Sequence, residues 1–199
     1  MEHFKLNHGT ETMPRVIPGL NRSGLVNLFK KLGYRKGAEI GVEKGRFART
    51  LFDGIPNLKM YLIDPYKNYK GQKIREGNDE CKKHAHELMS GCDVVWLEEL
   101  SESAVSKIKD KSLDFVYIDG NHKYDWAMLD IILWQRKVRS GGIVAGHDYL
   151  TDKKPYTRDV KRAVDDYTKR HGIVPVYLTD IKSQETRTDR HASWFWIKG

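Results

Sequence analysis

The sequence predicts a three-layer α/β fold, in which a mostly parallel β-sheet is covered by helices on both faces. Two observations support this prediction. Short apolar segments fit for buried strands alternate with helix-like segments along most of the chain, and parallel neighbours need such crossover connections. The 199 residues, of which 39% are hydrophobic and 31% charged, also match a globular protein large enough for one core.

The first part of the chain differs from the rest. Residues 1–20 contain two prolines and no periodic pattern, so we expect an irregular N-terminal lead-in there and a single domain over 21–199. The segment SGLVNLFKKLG then predicts a helix, because its apolar residues recur at helical spacing. Ser23 is a candidate N-cap, and Gly33 is a candidate stop.

Seven strands are predicted after this helix: AEIGV, KMYLID, DVVWL, LDFVYID, GGIVAG, GIVPVYL and SWFWIKG. Helix-like segments separate each strand from the next, apart from the last two: RFARTLF, DECKKHAHELM, ESAVSKIK, YDWAMLDIILWQRKV and RDVKRAVDDYTKRH. Because no helix lies between the last two strands, we expect them to pair antiparallel at one side of the sheet.

Acids and glycines directly follow four of these strands, in EIGVEKGRF, LIDPY, YIDGNH and GHDY. Open doubly wound sheets bind their ligands at the carboxyl ends of the strands. A turn alone needs only Gly or Asn, whereas YIDGNH also supplies Asp119 and His122. We therefore expect these residues to form one shared site, although Asp119 or Asn121 also fits a simple helix cap.

The turn after the first strand has the pattern E-x-G-x-x-x-G, formed by Glu39, Gly41 and Gly45. It lacks the G-x-G-x-x-G of dinucleotide folds and the G-K-[ST] of a phosphate loop. Its carboxylates suit a cationic ligand better than a pyrophosphate, although a tight turn also explains the glycines. Asp64 ends the second strand, where an acid can bind a ribose diol or form a turn before Pro65.

These segments resemble class I S-adenosylmethionine-dependent methyltransferases, and in particular the small group related to macrocin-type sugar O-methyltransferases. The resemblance covers about residues 24–199 and is carried by GAEIGVEKGRF, YLIDPY, FVYIDGNHKYDWAMLDIILWQRKVRSGGIVAGHDY and SWFWIK. It implies a Rossmann-like, mostly parallel seven-stranded sheet with an antiparallel last strand. It also implies S-adenosylmethionine as the cofactor.

The resemblance assigns the cofactor contacts by position. Glu39 and Gly41 would line the methionine and ribose side of the cofactor, and Asp64 would bind the ribose hydroxyls. Ser101 falls near the adenine ring, although it also fits a helix N-cap. Asp119 is the remaining predicted cofactor contact, since it belongs to the wall of the shared site.

A hydroxyl acceptor must lose a proton during methyl transfer, and a general base or a metal ion can assist. The candidate catalytic residues are His122, His147 and Asp148. His122 is the first candidate base, because the unperturbed pKa of histidine is about 6.5. His147 fits the role of a base or of a donor that orients the acceptor, and Asp148 also fits a cap after its strand.

The metal alternative places a divalent ion such as magnesium on Asp119, His147 and Asp148, as the resemblance implies. Magnesium prefers oxygen ligands, so His147 shifts the preference towards a transition metal. Asn121 stands where related enzymes often have an acid. Because His147 and Asn121 differ from the residues of related enzymes, the presence of a metal and the identity of the base stay open.

The acceptor expected from the resemblance is a saccharide or another small hydroxyl compound. Long loops in compact domains often bind ligands, so we expect acceptor recognition in the segment that holds Tyr66, Tyr69 and Lys70, or in 179–192. The sequence leaves a homo-oligomer open.

Two other classes of protein remain as alternatives. One is a nicotinamide-dependent oxidoreductase, against which the missing G-x-G-x-x-G argues. The other is a basic nucleic-acid-binding module, suggested by the net charge of +8 but supported by no recognisable motif. No membrane span and no secretory signal are recognisable. Cys81 and Cys92 form no disulfide framework, so we expect a cytoplasmic protein.

Overall fold

The computed structural model describes residues 14–68, 77–150, 158–183 and 191–199, in which helices cover both faces of an eight-stranded sheet. The strands are β1 (Arg15–Ile17), β2 (Lys36–Ile40), β3 (Lys59–Ile63), β4 (Asp93–Leu97), β5 (Leu113–Ile118), β6 (Val138–Tyr149), β7 (Tyr177–Thr179) and β8 (Ala192–Ile197). The α-helices are α1 (Arg22–Lys31), α2 (Arg46–Gly54), α3 (Asn78–Leu88), α4 (Ser101–Ala104), α5 (Tyr124–Trp134) and α6 (Asp159–Arg170).

The strand order is β1-β7-β8-β6-β5-β2-β3-β4. Neighbouring strands are parallel except around β8, which runs antiparallel to both β6 and β7. This confirms the predicted α/β class, the mostly parallel sheet and the antiparallel last strand. The chain proceeds from β2 outward through β3 and β4, and from β5 outward in the opposite direction. The point where the order reverses therefore lies between β2 and β5, which is where such sheets bind ligands.

The predicted count of seven strands is wrong, because β1 adds an eighth strand within the expected irregular lead-in. This short strand pairs in parallel with β7, and the Arg15 amide donates to the carbonyl of Val176 at 2.8 Å. A strand of three residues has too little sequence to show a period, and its pairing partner lies more than 150 residues further along the chain. Residues 1–13 of the lead-in lie outside the described residues.

Alternation along β5 shows how the three layers are held together. Phe115 and Tyr117 pack into a core shared with α1, α2 and α3. Val116 and Ile118 pack into a second core, shared with α4, α5 and α6. Since successive side chains of a strand point to opposite faces, β5 is buried on both faces, and its residues 115–118 are continuously hydrophobic.

The start of α1 differs in detail from the sequence prediction. Asn21, not Ser23, is the N-cap, and its side-chain oxygen accepts from the Gly24 amide at 2.7 Å. Asn and Ser are about equally good caps, so composition alone did not distinguish them. The shift makes Arg22 the first helical residue.

Two further predictions concern bulk properties. Cys81 and Cys92 are both free thiols. No helix within the described ranges has the length and the apolar character that crossing a bilayer requires.

The packing of β6 against β8 gives a testable consequence for stability. A Cβ atom on Gly146 would lie 2.3 Å from the ring of Trp194 and 2.6 Å from the carbonyl oxygen of Ile118. We expect Gly146→Ala to lower the free energy of unfolding by about 1–3 kcal/mol through overpacking. Urea denaturation measures the change. Gly77→Ala is the control, because its nearest neighbours lie at 3.8 Å, and an equal loss in both variants would contradict this account.

Candidate active site

The predicted site residues other than Ser101 come from four neighbouring strands whose carboxyl ends lie at one edge of the sheet. Glu39 belongs to β2, Asp64 follows β3, Asp119 follows β5, and His147 and Asp148 lie at the end of β6. The order β6-β5-β2-β3 makes these strands consecutive in the sheet.

Gly41 brings the turns after β2 and β5 into contact. A Cβ atom at this position would lie 2.1 Å from the backbone oxygen of Asp119, and the backbone φ of +85° also favours glycine. The Gly41 amide donates to the carbonyl oxygen of Ile63 at 2.9 Å, and the Asp119 amide donates to the carbonyl oxygen of Ile40 at 2.8 Å. These contacts place the backbone of Asp119 directly beside the glycine turn.

Glu39 is a buried carboxyl group, with 2% of the residue exposed. Its Oε2 atom has no hydrogen-bond partner among the described residues. Burial raises the pKa of Glu39 to about 8; the nearby Arg22 opposes this, whereas Asp119 and Asp64 add to it. A cationic ligand at this position would stabilise the ionised carboxylate.

Asp64 links the end of β3 to the turn after β2. Its Oδ2 accepts from the amides of Val42 and Glu43 at 3.0 and 2.9 Å, and its Oδ1 accepts from the Tyr66 amide at 2.8 Å. Burial nevertheless raises the pKa of this carboxyl above its usual value. A carboxylate offers about four acceptor positions, so Asp64 keeps acceptor capacity for a ligand hydroxyl.

Asp119 lies between a guanidinium on one side and two imidazoles on the other. Its Oδ2 accepts from Arg22 Nη2 at 2.8 Å, while its Oδ1 lies 3.6 Å from His122 Nε2 and 3.9 Å from His147 Nδ1. Burial raises the pKa of Asp119, but His147, His122 and Arg22 together outweigh burial and lower it. This carboxyl is therefore ionised at neutral pH.

Asp148 lies between two imidazoles. Its Oδ2 is 3.0 Å from His122 Nε2, and its Oδ1 is 2.5 Å from His191 Nδ1. Burial raises the pKa of Asp148, but the hydrogen bonds from His147 and His191 outweigh burial and lower it well below its usual range. About half of the His122 side chain is exposed, so this imidazole lies where a ligand can reach it.

A β-bulge directs both His147 and Asp148 to this cluster. Between the pairs Gly146–Trp194 and Tyr149–Ala192, two residues of β6 face the single residue Ser193 of β8. Asp148 adopts a left-handed backbone with φ of +58°, which Asp and Asn tolerate better than most residues. Successive residues of a regular strand point to opposite faces, whereas here the imidazole and the carboxylate lie 3.6 Å apart.

Ser101 occupies a different environment from the acids. It is the first residue of α4, and its hydroxyl donates a short hydrogen bond to Asp130 on α5. The N-cap of α4 is Leu100, so Ser101 does not cap this helix. The structure therefore places Ser101 at the turn after β4, with its side chain tied to α5.

Asn121 and Tyr66 are both buried. The Asn121 side-chain oxygen accepts from the Lys123 amide at 3.1 Å, which stabilises the turn before α5. Tyr66 has φ of +45° and a raised pKa that results first from burial. Tyr69 and Lys70 lie outside the described residues, as do 184–190 of the second predicted acceptor segment.

Asp119, His122 and Asp148 can together hold a metal ion. Each offers one ligand atom, and these atoms all lie within 4.8 Å of one another. The predicted set had His147 in place of His122. Nitrogen and oxygen donors in this mixture suit first-row transition metals better than magnesium.

Comparison with known proteins identifies the family. Residues 38–149, more than half of the chain, match a family model described as a methyltransferase domain. The chain therefore belongs to this methyltransferase family. No curated protein matches the chain significantly.

Solved structures show the same fold at low sequence identity. A protein from Corynebacterium glutamicum superposes with a TM-score of 0.63 at 17% identity, over 89% of this chain and 80% of that one. An O-methyltransferase from Bacillus cereus, in complex with SAH, gives 0.62 at 15% identity over 89% and 80%. The O-methyltransferase TomG from Streptomyces achromogenes, in complex with SAM, gives 0.62 at 15% identity over 89% and 79%.

Arg22 was not predicted from the sequence as a site residue, and His191 lies in the predicted acceptor segment 179–192 but was not singled out. Arg22 begins a helix that precedes the first predicted strand, and no motif marks it. His191 directly precedes β8, and because β8 is antiparallel, its start lies at the edge where the other strands end. The residue that reaches the site from an antiparallel strand is the one before the strand, not the one after it.

The buried Glu39 gives a testable pH dependence. Its folded-state pKa of about 8 lies above the ordinary value, so the folded protein holds this proton more tightly than the unfolded chain. We expect the contribution of Glu39 to stability to fall as the pH rises from about 5 to about 8. Urea denaturation across this range should show a flatter profile for Glu39→Gln than for the wild type. Identical pH profiles of stability for the wild type and Glu39→Gln would contradict the raised pKa of Glu39.

Proposed function

We propose that this methyltransferase uses S-adenosylmethionine to methylate a hydroxyl group of a small acceptor. One observation carries the proposal: Glu39, Asp64 and Asp119 lie at the ends of three adjacent strands, at the point where the strand order reverses. A sulfonium nucleoside combines positive charge with a ribose diol, and these carboxylates are suited to both. The neighbours from Bacillus cereus and Streptomyces achromogenes, described as complexes with SAH and SAM, support the same cofactor.

The residues present fit the cofactor contacts expected from the family resemblance. Asp64 has acceptor capacity for the ribose hydroxyls, and Glu39 offers a buried Oε2 to a cation. Gly41 lets the turns after β2 and β5 pack together, which holds Asp119 beside the proposed cofactor position. Ser101 is the proposed contact on the adenine side, reached through the turn after β4.

The cofactor supplies an activated methyl group, so the protein must align the acceptor and remove its proton. We assign proton removal to His122, whose exposed imidazole is held by Asp148. Burial lowers the pKa of His122, but the hydrogen bond with Asp119 and the charge of Asp148 outweigh burial and raise this pKa. His147 is the alternative base or an orienting donor, since it lies beside the same two carboxylates.

A divalent metal is the second means of activating the acceptor hydroxyl. A bound cation would lower the pKa of that hydroxyl, and Asp119, Asp148 and either His122 or His147 would hold it. The acceptor that we propose is a saccharide or a similar hydroxyl compound, because the sequence segments named above resemble macrocin-type sugar O-methyltransferases. The names of the neighbours support O-methylation but no particular acceptor.

Calorimetric titration with S-adenosylhomocysteine tests the cofactor assignment. We expect micromolar binding by the wild type and at least about tenfold weaker binding by Asp64→Asn, because the charged acceptor for the ribose is lost. The exposed Asp53→Asn on α2 is the matched control and should bind like the wild type. Binding of NAD and no binding of S-adenosylhomocysteine would favour an oxidoreductase. Salt-dependent binding of nucleic acid that Asp64→Asn leaves unchanged would favour a nucleic-acid-binding module.

An acceptor screen that follows S-adenosylhomocysteine formation tests the catalytic assignment. We expect His122→Gln and Asp148→Asn each to lower turnover by about 10²–10⁴-fold, with cofactor binding retained. Asn suits the left-handed backbone at position 148, so the bulge should persist. Turnover that survives in both variants would contradict these assignments.

A separate experiment tests whether the cluster binds a divalent metal. Manganese titration followed by electron paramagnetic resonance should show binding to the wild type and weaker binding to Asp148→Asn, if the cluster holds a cation. A chelator should then also lower turnover. No manganese binding by the wild type, with turnover unaffected by chelator, would leave His122 or His147 acting without a metal.

A further inference from the structure

Arg22 is a charged residue that points from α1 into the edge of the sheet. Its guanidinium lies 4.1 Å above the ring of Phe47 and 5.0 Å from the ring of Tyr117, while Nη2 donates to Asp119 at 2.8 Å. Only 18% of its side chain is exposed. Two aromatic faces and one ion pair thus fix the position of this cation, since a guanidinium stacks well on aromatic rings.

The guanidinium lies among the acidic residues of the proposed cofactor site. It contacts Asp119 at 2.8 Å, and its charge also opposes the effect of burial on the pKa of Glu39. Asp64 belongs to the same acidic surface. Arg22 therefore adds a fixed positive charge beside the carboxylates Glu39, Asp64 and Asp119.

S-adenosylmethionine carries charges of both signs at its amino-acid end. Its sulfonium and its ammonium group are cations that match Glu39 and Asp119. Its carboxylate is an anion, which those acids would repel, so a site without a cation would lose affinity for the intact cofactor. Arginine is well suited to this group, because its planar guanidinium binds a carboxylate in two-point geometry.

We propose that Arg22 binds the carboxylate of the cofactor's amino-acid portion and so selects the intact amino acid over analogues that lack this group. The inference rests on the proposed function. Arg22 is not a participant in methyl transfer; it fixes one end of the cofactor, while Asp119 and Glu39 serve the cationic groups beside it.

Binding of two ligands to the same variant tests this role. The first is S-adenosylhomocysteine, and the second is its decarboxylated analogue, in which hydrogen replaces the α-carboxylate. We expect Arg22→Gln to weaken binding of the first ligand by at least about tenfold and to change binding of the second by less than about threefold. Arg22→Lys should fall between wild type and Arg22→Gln, because it keeps the charge but loses the two-point geometry.

The ratio of the two affinities within one variant does not depend on the stability of that variant. Arg136→Gln is the matched control, since Arg136 is exposed and pairs with Asp110 at the opposite edge of the sheet; its ratio should equal that of the wild type. Equal weakening of both ligands by Arg22→Gln, or no weakening of either, would overturn the role of Arg22. A wild-type protein that binds neither ligand would overturn the proposed function and the inference with it.

Discussion

The ion pairs of Asp119 are the interaction on which the candidate site depends. Burying an isolated carboxylate costs several kcal/mol, and several acids lie close together at this edge. Asp119 is stabilised by Arg22 at 2.8 Å on one side and by His122 and His147 on the other. Its two oxygens thus face two functional regions, the proposed cofactor site and the histidine cluster. One charged residue joins the regions that methyl transfer must bring together.

Backbone packing fixes Asp119 in that position. Gly41 contacts its carbonyl so closely that no side chain fits between the two turns, and the amide of Asp119 is bonded to β2. Asp64 holds the same turn from β3. The acids are therefore held on rigid strand ends before any ligand binds, which is the arrangement expected of a site that stabilises charge electrostatically.

The sequence predicted the parts of this fold and site that depend on periodicity and on local residue types. Alternating strands and helices predicted the layers, and Glu39 in β2, Asp64 after β3 and Asp119 after β5 lie at the expected edge of the sheet. Three features depend on tertiary contacts instead. The segment of β1 is a strand only because it pairs with β7, and the bulge at His147 and Asp148 forms only because β6 pairs with β8. His191 reaches the site only because β8 is antiparallel.

A crystal structure of the chain with bound S-adenosylhomocysteine tests the central claim most directly. We expect the ribose hydroxyls to lie within about 3.2 Å of the Asp64 carboxylate, and the amino-acid portion to lie between Glu39 and Asp119. A nucleoside bound elsewhere on the protein, with Asp64 and Asp119 making no contact to it, would contradict the claim that these strand ends form one cofactor site.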